Sequence, residues 1–145
     1  MLMIVTTSAR STCDDSRWPV VVITIPKEPF DQAGFDDHCK KIFRYYERGQ
    51  SFGWVFDVRN SAVLTAGQRR TIAEQTDALS TRYPQIRCFA AVVVSSAVQR
   101  GIVRAITWLT RQPLPTQIFS SVDEAVAWVR KSVASGAEHE HRAAP

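Results

Sequence analysis

Hydrophobic positions along this chain follow two rhythms. In one, apolar residues run together in short β-branched or aromatic blocks. "MLMIVTTS" (1–8), "WPVVVITIP" (18–26), "FGWVFDV" (52–58), "CFAAVVV" (88–94) and "TQIF" (116–119) are of this kind. Such blocks predict strands, and the unbroken runs at 20–23 and 90–94 predict strands covered on both faces. "RSTCDDSR" (10–17), which separates the first two blocks, is polar and reads as a turn.

In the other rhythm apolar residues recur every three or four positions. Phe35, Cys39, Ile42 and Tyr46 fall on one face of a helix over 36–48, with His38 beside the inward Cys39. Asp36 and Asp37 lead that helix, bases close it, and Gly49 follows. Thr65 with Gln68 forms a capping box for a helix running to about Arg82, with Ile72, Leu79 and Tyr83 inward. Ser96 with Gln99 opens another, in which Val98, Ile102, Ala105 and Leu109 share one face and Arg100, Arg104, Thr107 and Arg111 another. Ser121 with Glu124 opens the last, lined by Val122, Ala125, Val129 and Val133.

The order is therefore ββαβαβαβα. Strands alternating with helices of this length predict an α/β fold, a small, mostly parallel (mixed) sheet flanked by helices. The first pair is antiparallel, because the link between the first two strands is too short for a crossover. A single domain over 1–134 and a flexible polar tail over 135–145, "SGAEHEHRAAP", complete the expected organisation.

Composition narrows the function classes. Apolar residues make up 45% and charged residues 22% of 145 residues, an ordinary globular balance for one core. The net charge of +4 is too small to signal nucleic-acid binding, yet suits an acidic protein partner or an anionic small ligand. Cys13, Cys39 and Cys88 form no CxxC pair, so they read as reduced thiols in a cytoplasmic protein. No secretory signal is visible, and no apolar run approaches the roughly 20 residues of a membrane span.

Three segments carry a family resemblance. "WVFDVRN" is a strand ending in Asp, "VVVSSAVQRGIVRAITWL" is strand, turn and helix, and "QIFSSVDEAVAWVR" is a short strand feeding a helix with Glu-Ala-x-x-Trp. With the element order, they make Trp18 to Val133 resemble the SpoIIAA-like group, related to STAS domains (anti-sigma factor antagonists and the cytoplasmic domains of sulfate transporters). The resemblance implies a non-enzymatic regulatory or adaptor module, without cofactor, that docks a partner protein or a small anion. In the sporulation antagonists the strand ends in Asp-Ser-Ser-Gly, and a serine there accepts phosphate. Asp57 matches the Asp, but Val58, Arg59 and Asn60 follow it; Ser61 stands in another register. A phosphoswitch in this chain would have to use Ser61 or Thr65.

The candidate site gathers at the carboxyl ends of the strands, where open α/β sheets bind ligands. Asp57, Arg59, Ser61 and Thr65 belong to one loop; Ser95 and Ser96 belong to the next, and Arg100 and Arg104 to the helix it opens. Each also has an ordinary structural role. Asp57 can fix a turn, Ser96 can cap a helix, and the arginines can be a solvated helix face. Trp54, Trp108 and Trp128 read as core packing. His139 and His141 lie in the tail with no fixed ligand set, so no metal is expected. No GxSxG, phosphate loop or HExxH occurs, and no enzyme chemistry is expected. The alternative is a sensor that holds a nucleotide, lipid or other anion at the strand ends. Copies of the chain could meet at the sheet edge near Ile118 or at Tyr45 and Tyr46.

Overall fold

A computed structural model describes residues 8–61, 64–109 and 114–143, with backbone alone at 107–109 and 137–143. The elements are β1 (Thr12–Arg17), β2 (Val20–Thr24), α1 (Gln32–Tyr46), β3 (Phe52–Asp57), α2 (Ala66–Arg82), β4 (Cys88–Val93), α3 (Ala97–Leu109), β5 (Thr116–Phe119) and α4 (Val122–Ala143). The strands form one sheet in the order β1-β2-β3-β4-β5. β1 runs antiparallel to β2, and every other neighbour is parallel. This is the mixed sheet and the element order that the hydrophobic rhythm predicts.

Alternation along the central strands divides two cores. Val20, Val22, Val55, Ala91 and Val93 face α4, where Ala125, Val126, Val129 and Val133 complete a buried aliphatic layer. Val21, Ile23, Phe52, Trp54 and Cys88 face the other way, onto Ile42 and Tyr46 of α1 and Leu79 of α2. The second layer is aromatic, with Phe52 and Trp54 edge-to-face at 5.2 Å and Tyr46 against Phe52 at the same distance. Trp54 is a core residue as expected; Trp128 is half-buried against Phe89 and Phe119; the Trp108 side chain lies outside the described residues. α1 and α2 thus cover one face of the sheet and α4 the other.

Gly53 lets α4 come this close. A Cβ on it would run into the buried Val129 side chain and lie 3.1 Å from the Phe89 carbonyl oxygen. Gly49, at φ +72°, turns the chain out of α1 toward β3.

Several boundaries differ from the sequence reading. The edge strand is Thr12–Arg17, inside the stretch read as a turn, and most of the block at 1–8 lies outside the described residues. β1 alternates exposed and half-buried residues, so its pairing with β2 rests on the backbone and needs no apolar run. α1 begins four residues before Asp36. Asp31 is its N-cap, accepting from the Gly34 amide at 2.8 Å, and no acid occupies its first turn. His38, not Cys39, is buried on its inner face; Cys39 is half-buried. The backbone of α4 continues as helix through Ala143, past the boundary expected at 134. Its extension packs at Gly136, where a Cβ would sit 3.4 Å from Phe89 Cζ.

Candidate functional site

β3 and β4 end side by side, with Asp57 opposite Val93. The chain leaves β3 through a turn that Asp57 organises. Its carboxylate accepts the Arg59 amide at 3.2 Å and both arms of the Arg59 guanidinium, Nε at 2.9 Å and Nη2 at 2.8 Å. These bonds hold the Asp57 carboxyl below the usual carboxylate range, against a smaller opposing effect of burial. Ser61 closes the turn, donating from Oγ to the Val58 carbonyl at 3.0 Å. Asp57 thus does the turn-fixing job, and Arg59 is its ion-pair partner.

The loop after β4 is tied to this turn. Ser95 Oγ donates to the Arg59 carbonyl at 3.2 Å. Gln99 Nε2 donates to the Val58 carbonyl at 2.5 Å, while its Oε1 accepts from the Ser95 amide at 2.7 Å. Ser96 caps α3 by accepting the Gln99 amide at 3.1 Å. The expected capping box is therefore half made, since the Gln99 side chain reaches back to Ser95 and across to β3. Arg100 turns away toward β5, donating to Ser120 Oγ at 2.8 Å and to the Ile118 carbonyl at 3.4 Å.

Thr65 belongs to different surroundings. It makes the expected capping box with Gln68, both bonds at 3.1 Å, and Gln68 reaches the Phe30 carbonyl. Together they line one end of a shallow groove of about 610 Å³ between α1 and α2, with Gln32, Phe35, Cys39 and Gln75. Of the eight candidate residues, the structure joins Asp57, Arg59, Ser61, Ser95 and Ser96 in one hydrogen-bonded network, with Arg100 beside it on the next turn. Arg104 is exposed one helical turn beyond.

α3 also departs from its expected orientation. Each other helix has buried residues, whereas α3 has none among its described side chains. Gln99, Arg100, Val103 and Ile106 are its half-buried side. Val98 and Ile102, read as part of a single inward face, are 74% and 43% exposed. The apolar arc of α3 is wider than its seat on the domain, and half of it points to solvent.

Elsewhere, Ser11 Oγ and His38 Nδ1 lie 2.9 Å apart, a pairing that resembles a nucleophile and its base. Both are sealed, at 0% and 2% exposure, so the pair pins the segment before β1 to α1 rather than meeting a substrate. Burial, aided by nearby Lys41, pushes the His38 pKa down to about 4. Among the described residues no three His, Cys, Asp or Glu side chains gather as a metal site, and no helix is long and apolar enough to cross a membrane.

No family model matches the chain, and no curated protein matches it significantly. A solved structure does: an uncharacterized protein of the DUF3478 family from Shewanella loihica PV-4, itself described as having a SpoIIAA-like fold. The match covers 88% of this chain and 98% of that one, with a TM-score of 0.58 at 11% identity. The chain has a SpoIIAA-like fold. On this SpoIIAA-like scaffold, the positions after Asp57 hold a salt-bridged turn with Arg59 and Asn60 exposed. The residue that the sequence reading undervalued is Gln99. It appeared only as a capping partner, and nothing in its spacing from Ser96 tells that its amide spans two loops.

Proposed function

We propose that this SpoIIAA-like domain is a non-enzymatic adaptor of STAS type that docks a partner protein at the carboxyl-end rim of its sheet. The interlocking of the rim carries the reading. Asp57, Arg59, Ser95, Ser96 and Gln99 satisfy one another, which gives two loops a fixed shape before any partner arrives. A preformed surface loses little conformational entropy on binding, which favours docking of a folded partner. The same bonds weaken the alternative of an anion sensor. The amides of Arg59, Ser95 and Gln99 already point at the Asp57, Gln99 and Ser96 side chains, which leaves fewer donors at the rim for an anion.

The test uses Asn60, exposed at the tip of the turn. Arg59 and Arg100 are poor choices, because both hold loops together. Affinity capture from the native cell should retain a discrete protein on the unaltered chain and lose it with Asn60→Arg. A melting point that rises with nucleotides or lipids, alongside no captured protein, would overturn the adaptor reading.

A further inference from the structure

The exposed half of α3 has features that a solvated helix face does not need. Val98 and Ile102 stand out from it at one-turn spacing. Next to them, Ala97, Gly101 and Ala105 repeat every fourth residue, all exposed, and a Cβ on Gly101 would meet nothing within 4 Å. The surface is an apolar ridge beside a smooth, small-residue track, the relief that lets a second helix approach closely.

Charge decides what kind of helix. No acidic residue occurs between Asp77 and Asp123, while Arg100 and Arg104 lie on α3 itself. Arg104 is exposed on the flank of the small-residue track. An acidic segment would be drawn to this field, and a basic one repelled. A bilayer suits the face less well. Interfacial helices carry several cations around a broad apolar face. Here Arg100 bends inward to Ser120 and Ile118.

We infer that α3 docks an acidic amphipathic helix of a partner protein, packed along Ala97, Gly101 and Ala105, with Val98 and Ile102 in its apolar side and Arg104 facing its carboxylates. This rests on the adaptor reading and names the partner's chemistry.

The probe is a pair of synthetic helical peptides built from Leu and Ala with Glu on the polar side, or with Lys in its place. Fluorescence anisotropy should show the Glu peptide binding at least about tenfold more tightly than its Lys twin, and weakening as salt is raised. Gly101→Leu fills the track without a clash in the free chain. It should weaken binding about tenfold with no fall in melting temperature, and Val98→Asp should do the same. Equal binding of the twins, no binding of either, or indifference to Gly101→Leu would overturn the inference. So would anionic vesicles that bind more tightly to Gly101→Leu, which assigns the face to lipid, or a dimer that Gly101→Leu abolishes, which assigns it to a second copy. A natural partner lost with Asn60→Arg but retained by both α3 variants would sink this inference and leave the adaptor reading standing.

Discussion

Acid should destabilise this domain through His38. The side chain is 2% exposed, and its Nδ1 is paired with Ser11 Oγ. Burial is the main cause of a pKa lowered from 6.5 to about 4, with Lys41 adding to it and Asp37 opposing. Between those values the unfolded chain holds a proton that the folded chain refuses. Folding is therefore unaffected by this group above about pH 7 and loses stability as pH falls through the unfolded value, until the folded histidine titrates as well. A gap of that size corresponds to about 3 kcal/mol in full, of which roughly 2.5 kcal/mol should be felt by about pH 4.5. That is a large share of the typical stability of a small domain.

Urea unfolding measured across this range in the native chain and in His38→Gln separates this group from the others. Gln can still accept from Ser11 but cannot charge. His139 and His141 are common to both proteins and cancel in the comparison. Asp37 and Asp57, whose carboxyls sit below their usual range, stabilise at higher pH and begin to lose that contribution at the acid end of this window, equally in both proteins. The native chain should lose stability faster on acidification, and the two curves should converge by the full difference. Parallel curves from neutral to about pH 4.5 would refute the claim that a neutral buried His38 sets the acid limit.

Two further changes probe the packing and the rim. Gly53→Ala pushes a methyl group into Val129 and should cost about 1–3 kcal/mol in a thermal melt, while the same change at exposed Gly101 should cost nothing. Gln99→Ala takes one donor from the Val58 carbonyl, which keeps Ser61, and leaves the Ser95 amide without its side-chain acceptor. Amide exchange at residues 58–61 and 95–96 should speed up more than in the core strands, at a global loss of about 1–2 kcal/mol.

The interior strands were readable because both their faces are buried. Val20, Val21, Val22 and Ile23 need apolar side chains at every position, and that leaves an unbroken run in the sequence. β1 has solvent on one side and supplies mostly hydrogen bonds, so Thr12 to Arg17 could stay polar and passed for a turn. The start of α1 was missed for a similar reason. Its first turn is covered by Ala9 backbone lying over Gly34, a contact between segments that no local period encodes. The backbone of α4 stays helical through Ala143, where composition alone suggests a tail.

A topological rule singles out the strand ends as a candidate rim, but it does not give their chemistry. Sequence gives the residues at the strand ends, but whether Arg59 faces a partner or folds back on Asp57 depends on where the turn points it. α3 makes the same point in a sharper form. A helical period states that Val98, Ile102, Ala105, Val103 and Ile106 form an apolar arc; it does not state how much of that arc the sheet will cover. In α4 the arc and the seat coincide, so periodicity and burial agree, and in α1 they differ only where His38 takes the place of Cys39. Among the described side chains of α3, the seat takes the Gln99, Arg100, Val103 and Ile106 edge, while Val98 and Ile102 stay exposed. On α3 the hydrophobic arc exceeds the footprint its own domain offers, and that excess is what the proposed partner helix would cover.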